Sequence, residues 1–248
     1  HLYNRIKSDP SIDMQPHTFI FGAKAAPGYY VAKEIIHLIN SVADHINSDP
    51  EVKDRIKVVF LENYRVSLAE MLMPASELSE QISLAGMEAS GTGNMKFMIN
   101  GGLTIGTMDG ANVEICDRVG RENMFIFGMT AGEVEELGRH GYNPVALYDN
   151  DLEIKAVIDR IRAGFKDGVN YTGLMQSLLF DDRYRLLADF ESYRAAQERA
   201  VATYADREKW NRMSVINIAN AGYFAADRSV KEYAEKIWHV TSINGSAR

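Results

Sequence analysis

The sequence predicts an α/β protein: a doubly wound parallel sheet over residues 1–150, followed by an all-helical part over residues 151–248. Two observations carry this. Short apolar runs alternate with stretches of helical spacing as far as Tyr148, the pattern of parallel strands joined by crossover helices. Beyond Tyr148 only helical spacing remains. Right-handed crossovers put helices on both faces of such a sheet, and ligands bind at the carboxyl ends of its strands. The loops after Phe21, Leu61, Ala85 and Leu103–Thr107 are therefore expected to share one edge.

The elements follow in order. His1 to Lys7 has Leu2, Tyr3 and Ile6 at helical spacing and stops at Ser8-Asp9-Pro10. Thr18-Phe-Ile-Phe21 reads as a buried strand ending in the loop Gly22 to Gly28. From Tyr30 to Ile46, Val31, Ile35, Ile36, Leu38, Ile39, Val42 and Ile46 mark a long amphipathic helix, which Asp49-Pro50 breaks. Ile56 to Leu61 is the next strand, Val66 to Met73 a short helix stopped by Pro74, and Ile82 to Ala85 a weak strand. Asn94 to Ile99 reads as a short helix and Leu103 to Thr107 as a strand. A helix through Val113 and Ile115 comes after Asp109-Gly110. Met124 to Phe127 is a further strand. Thr130 to His140 is a helix with Thr130 as N-cap and Glu133 three residues on. Leu152–Phe165, Arg183–Tyr204, Glu208–Ala219 and Ser229–His239 carry helical spacing, and Gly164, Gly168 and Gly173 mark the loop after the first of these. Trp210 and Trp238 sit on helical faces, as core or interface residues.

Composition narrows the function classes. The chain has 248 residues, 46% hydrophobic and 25% charged, which suits a globular protein with a full core. A net charge of −7 argues against nonspecific nucleic-acid binding and against an anionic membrane surface. No apolar run is long enough to span a bilayer, and there is no signal peptide. Cys116 is the only cysteine, so no intrachain disulfide or thiolate cluster forms, and a reducing cytoplasm is the natural compartment. The six histidines show no metal spacing, and no metal is assigned. No nucleophile elbow is present. The chain begins at His1 in what reads as mid-helix, the mark of a piece of something longer.

The chemistry concentrates in Glu88-Ala-Ser-Gly-Thr-Gly-Asn-Met-Lys96. Gly91 and Gly93 let backbone N–H groups approach a ligand closely, and a helix start behind them favours an anion. Lys96 lies three residues past Gly93, about one helical turn. A phosphate seat with an amine above it suits pyridoxal phosphate, the loop holding the phosphate and the lysine the aldehyde. The stretch is neither a P-loop nor a dinucleotide fingerprint, because the glycine spacing is too short for one and Lys96 stands at the third glycine of the other. On these residues alone, a flexible turn with Lys96 as a surface lysine is the simpler reading and stays open. Tyr64-Arg65 ends a strand on the same edge, where Arg65 is a bidentate phosphate donor or half of a structural ion pair. Lys24 is a weaker candidate of the same kind. Glu88 either accepts from sugar hydroxyls or caps a helix.

The run from Glu88 to Glu114 (EASGTGNMKFMINGGLTIGTMDGANVE) resembles the cofactor-lysine signature of the α-glucan phosphorylases, the glycogen, starch and maltodextrin enzymes. Tyr3–Lys7, Gly22–Tyr29, Phe60–Glu70 and Asn123–Met129 resemble the same family in the same order. The resemblance implies the later part of the Rossmann-like C-terminal lobe of a two-lobed GT-B glycosyltransferase. It implies pyridoxal 5′-phosphate as cofactor, with Lys96 matching the imine lysine. Thr92 and Gly93 match the backbone donors to the cofactor phosphate, with Tyr64 and Arg65 beside it. Glu88, Ser90 and Gly91 match groups that bind glucosyl hydroxyls, and Tyr29 an aromatic near the mouth of the site. The implied reaction is reversible phosphorolysis of a terminal α-1,4-linked glucose by orthophosphate to glucose 1-phosphate. There the cofactor's phosphate, with a second pKa of about 6, is a proton partner for the substrate phosphate.

The family further implies an allosteric homodimer when full-length. The N-terminal lobe and the start of the C-terminal lobe have no counterpart in this sequence, nor do the family's basic residues for substrate phosphate. The isolated piece is therefore expected not to turn over glucan. A non-catalytic glucan- or phosphate-binding module is the competing class, and a nucleotide-sugar glycosyltransferase of the same shape a third. Neither needs an imine lysine.

Overall fold

The computed structural model describes residues 1–241. Its first half alternates parallel strands with helices. Helix α1 (Leu2–Ser8) leads to β1 (His17–Gly22), α2 (Tyr30–Ser48), β2 (Ile56–Leu61), α3 (Val66–Leu72) and β3 (Leu78–Gln81). Then follow α4 (Gly93–Ile99), β4 (Leu103–Gly106), α5 (Ala111–Val119) and β5 (Phe125–Ile126). Seven α-helices follow, α6 (Ala131–His140), α7 (Pro144–Asn150), α8 (Leu152–Ala163), α9 (Thr172–Phe180), α10 (Leu186–Ala205), α11 (Arg207–Asn220) and α12 (Ala226–Tyr233), the last continued by a π-helical turn at Ala234–Trp238.

The strands form two parallel sheets rather than the one expected. One sheet pairs β1 with β2 from His17 opposite Ile56 to Gly22 opposite Leu61. The other has the order β3-β4-β5. The four loops thus form two neighbouring pairs, one pair on each sheet. At the first pair, the ring of Tyr64 packs against Gly22 so closely that a Cβ there would sit 2.8 Å from Tyr64 Cδ2.

The three-stranded sheet is covered on both faces. Leu103, Ile105, Phe125 and Phe127 pack with Ala196, Ala200, Trp210 and Met213 of α10 and α11. Ile126 and Met124, pointing the other way, pack with Met98 of α4 and with Ile115, Cys116 and Val119 of α5. All four residues of β4 are buried, as a central parallel strand requires. On the two-stranded sheet, α1 and α2 lay Ile6, Ala43 and Ile46 over Ile56 and Val58. The Asn47 side chain replaces a ladder partner there, donating to Val58 O at 2.8 Å and accepting from Val58 N at 3.1 Å. A polar knot ties α2 to the segment before α9. In it Tyr171 Oη lies 2.6 Å from His37 Nδ1 and 2.7 Å from Ser41 Oγ, and the Ser41 hydroxyl donates to Asp167.

Most boundaries follow the sequence pattern, and the departures have local causes. The strand expected at Ile82–Ala85 lies at Leu78–Gln81 instead. Its polar residues conceal it: Ser79 is 2% exposed and accepts from the Gln81 side chain at 2.8 Å. Pairing ends at Gln81 because its partner β4 ends at Gly106. Two helices, α7 and α9, lie where the sequence pattern marks none. The first has its signal in Asn143-Pro144, where Asn143 Oδ1 accepts from Ala146 N at 3.2 Å. The second sits inside the glycine-marked loop, held by Leu174, Met175 and Leu179 in the core with Ile154 and Ile158 of α8. The capping box at Thr130 is present, with Thr130 N donating to Glu133 Oε2 at 2.7 Å and Glu133 N to Thr130 Oγ1 at 3.3 Å.

The loop after β5 is tied to α10 by Gly128 N donating to Ser192 Oγ and Met129 N to Asp189 Oδ1, both at 3.0 Å. Asp189 is 8% exposed. Burial pushes its carboxyl above the usual carboxylate range, partly countered by the Met129 N–H. A carboxyl raised on folding stabilises the folded state below its unfolded value and loses that contribution as pH rises through the folded one. Asp189→Asn keeps an acceptor for Met129 N and removes the buried charge. Its melting temperature is expected to exceed that of the unmodified chain at pH 8. The gap should close as pH falls toward the ordinary aspartate range, and thermal melts from pH 8 to pH 4 measure it.

Candidate functional site

The stretch from Ser83 to Thr92 joins β3 to α4 and is built onto the turn that follows β4. Thr107 Oγ1 donates to Ser83 O at 2.6 Å. The Asp109 carboxylate accepts from Gly86 N at 2.9 Å, Met87 N at 3.2 Å and Glu88 N at 2.8 Å. Ala111 N donates to Ser90 O at 2.7 Å. Between the last two groups sits Gly110, at φ +51°, where a Cβ would lie 2.6 Å from Ser90 O. Only glycine permits both that dihedral and that approach.

A second tier lies beneath. The buried Asn94 donates to Asn112 Oδ1 at 3.0 Å, and Asn112 donates to Thr107 O at 3.0 Å and Gln81 O at 3.3 Å. These bonds fix the start of α4 to the ends of β3 and β4. A water-sized space of about 20 Å³ remains among Glu88, Ser90, Asn94, Asp109 and Asn112.

Gly91 takes φ +78°, turning the chain into α4, whose first residue is Gly93. Thr92 is the N-cap residue, and its side chain makes no capping bond. Met95 N is taken by Asn94 Oδ1 at 2.9 Å. Among the described residues, the N–H groups of Thr92, Gly93 and Asn94 have no partner. Lys96 follows one turn on, its N–H bonded to Thr92 O at 3.3 Å. Its side chain is exposed, and no carboxylate of the described residues lies within 4.0 Å of its amine. This donor set fits a phosphorylated aldehyde: unpartnered N–H groups for the anion and a free amine for the carbonyl.

One loop-and-helix unit therefore brings together Glu88, Ser90, Gly91, Thr92, Gly93 and Lys96. Glu88 and Ser90 are exposed, and among the described residues Ser90 Oγ donates only to Gly91 O, at 3.1 Å. Tyr64 and Arg65 come from the other sheet, at the end of β2. Arg65 is exposed, opens α3, and donates to Asn63 O at 3.4 Å. Among the described residues no hydrogen bond or ion pair joins Tyr64 or Arg65 to the loop, and Arg65 has no carboxylate partner of the kind a structural ion pair requires. Tyr29 is 56% exposed at the start of α2. A far larger, apolar cavity of about 660 Å³ lies elsewhere, between the β1–β2 sheet and α8 and α10, and shares no residue with this unit.

The residues that sequence reading missed are Asp109, Asn94 and Asn112. Asp109-Gly110 carried only the signal of a turn. The bond partners of Asp109 lie 21 to 23 positions away, so nothing local marks them.

The fold and the unit together define an α/β protein with a glycine-loop helix start and a lysine one turn beyond. The carbohydrate phosphorylase family model matches residues 1–240. The glycogen phosphorylase of Synechocystis sp. is 52% identical over 246 residues, 98% of this chain and 29% of that protein. That of Bacillus subtilis is 53% identical over 244 residues, 97% of this chain and 31% of that protein. The muscle form of Homo sapiens is 50% identical over 242 residues, 96% of this chain and 29% of that protein. The chain belongs to the carbohydrate phosphorylase family. It spans a little under a third of the length of these relatives.

Proposed function

We propose that the chain is the cofactor-bearing part of an α-glucan phosphorylase, a glycosyltransferase that splits terminal α-1,4-linked glucose with orthophosphate to give glucose 1-phosphate. The observation that carries this reading is the family match across residues 1–240, on a chain whose Lys96 stands one turn beyond unpartnered N–H groups. Pyridoxal 5′-phosphate, when bound, supplies a phosphate that titrates near neutrality and serves as proton partner to substrate phosphate. Thr92 and Gly93 hold that phosphate through backbone N–H groups, Lys96 fixes the aldehyde, and Tyr64 and Arg65 complete the seat from β2. Glu88, Ser90 and Gly91 bind the glucosyl hydroxyls. In this reading the whole protein is a two-lobed, cytoplasmic homodimer under allosteric control.

The same reading joins the two sheets. In sequence order β2-β1 and β3-β4-β5 become the order 3-2-1-4-5-6 of a doubly wound sheet if one strand enters between β1 and β3. That strand would come first in sequence, upstream of His1. The apolar cavity lined by Phe19, Phe21 and Val58 is where such a segment would pack. Residues 1–150 then form the Rossmann-like part of the lobe and the chain from residue 151 its helical part, of which residues 242–248 lie outside the described residues.

The test is phosphorolysis of maltodextrin by two proteins: this chain alone, and a polypeptide extended upstream to the full length of the relatives. The chain alone should release no glucose 1-phosphate, and the extended protein should release it in proportion to bound pyridoxal phosphate. Release by the extended protein without the cofactor would end the proposal. So would an extended, cofactor-loaded protein that binds maltodextrin without cleaving it, as a binding module does.

A further inference from the structure

We infer that Asp109 is a positioning residue, whose carboxylate holds the Gly86–Glu88 backbone and so sets Glu88 and Ser90 for a glucosyl unit. The inference rests on the proposed function for the identity of the sugar. The observation is that one buried carboxylate accepts three successive backbone N–H groups, at 2.9, 3.2 and 2.8 Å. Among the described residues no cation lies within 4.0 Å of it. A carboxylate taken out of water needs compensation, and here the loop supplies all of it.

The dependence runs the other way as well. Gly86, Met87, Glu88, Ala89 and Ser90 are all exposed, so no apolar contact buries them. Apart from Met87 N, which also donates to Leu84 O at 3.0 Å, their position comes from the turn after β4: Asp109 at one end and the Ala111 N–H on Ser90 O at the other. Residues beyond the Gly91 bend are held differently. Met98 of α4 is fully buried, and Asn94 is pinned to Asn112. Loss of the Asp109 bonds should therefore move Glu88 and Ser90 while leaving Thr92 to Lys96 in place. Recognition of hydroxyls tolerates little displacement, and a shift of about 1 Å can cost on the order of a hundredfold in rate.

The experiment compares Asp109→Asn with the unmodified full-length holoenzyme. Asparagine keeps the shape and one acceptor oxygen, but turns an amino group toward a backbone N–H. The KM for glucose 1-phosphate should rise at least tenfold, while the yield of borohydride-trapped cofactor at Lys96 stays unchanged. Amide hydrogen exchange at Gly86 and Glu88, whose N–H groups bond only to Asp109 among the described residues, should be slow in the unmodified protein and at least tenfold faster in the variant, with the amides of α4 unaffected. An unchanged KM overturns the inference, as does a parallel loss of trapped cofactor, which marks a general structural role. Fast exchange of those two amides in the unmodified protein overturns it whether or not the variant folds. If the unmodified holoenzyme neither traps the cofactor nor turns over glucose 1-phosphate, the proposed function fails and takes the sugar with it. The exchange arm still reads Asp109's hold on the loop in that case.

Discussion

Replacing Lys96 with alanine is expected to abolish covalent capture of pyridoxal phosphate and to lower phosphorolysis by the full-length protein at least a thousandfold. The reason is positional. Lys96 sits one turn past Gly93, and the N–H groups of Thr92, Gly93 and Asn94 have no partner among the described residues. A phosphate held there leaves an aldehyde to be fixed by the one amine on that turn. Lys96 is exposed and makes no ion pair within 4.0 Å among the described residues, so its loss should leave stability within about 0.5 kcal/mol. Unfolding midpoints and cofactor absorbance, measured on the same preparations, separate the two effects. A variant that melts normally, holds no cofactor adduct and still releases glucose 1-phosphate at the unmodified rate would contradict the assignment.

Truncating Trp210 should be the most damaging change outside the site. Trp210 is 5% exposed on α11, stacks on Phe125 of β5 at 5.9 Å, and meets the Tyr204 ring edge-on at 4.9 Å. It closes the face of the three-stranded sheet whose ends carry the loop. Trp210→Ala removes that packing and leaves a cavity, at a cost of about 3–5 kcal/mol. The same helix steadies α4's exit, because Ser214 Oγ donates to Gly101 O at 2.8 Å. Trp238, 56% exposed beyond α12, should tolerate alanine within about 0.5 kcal/mol. Equilibrium urea unfolding of both variants is the check. Equal losses would mean that the sheet is not covered as described.

The two tryptophans show where sequence reading stops. Both lie on helical faces, and helical spacing cannot say which face meets a neighbour. Strands β1, β2 and β4 were legible because they are apolar runs of strand length, and α2 because its apolar stripe runs from Val31 to Ile46. Strand β3 was not, because Leu78-Ser-Glu-Gln81 buries the Ser79 hydroxyl by bonding it to the Gln81 side chain of the same strand, which no apolar pattern reports. The split into two sheets was not legible either, since register and strand order depend on partners far away in sequence. At the site, Gly91 and Lys96 were marked by residue type and spacing. Asp109, Asn94 and Asn112 each make at least one bond to a residue 18 to 31 positions distant, and only the folded chain brings those together.

The most direct measurement is to reduce the pyridoxal phosphate complex of the full-length protein with borohydride, digest it, and locate the added mass by peptide sequencing. The account expects a single pyridoxyl group, on Lys96, with the peptide Gly93–Ile99 carrying it in one-to-one yield. A modified Lys24, or label spread over surface lysines with Lys96 free, would contradict it.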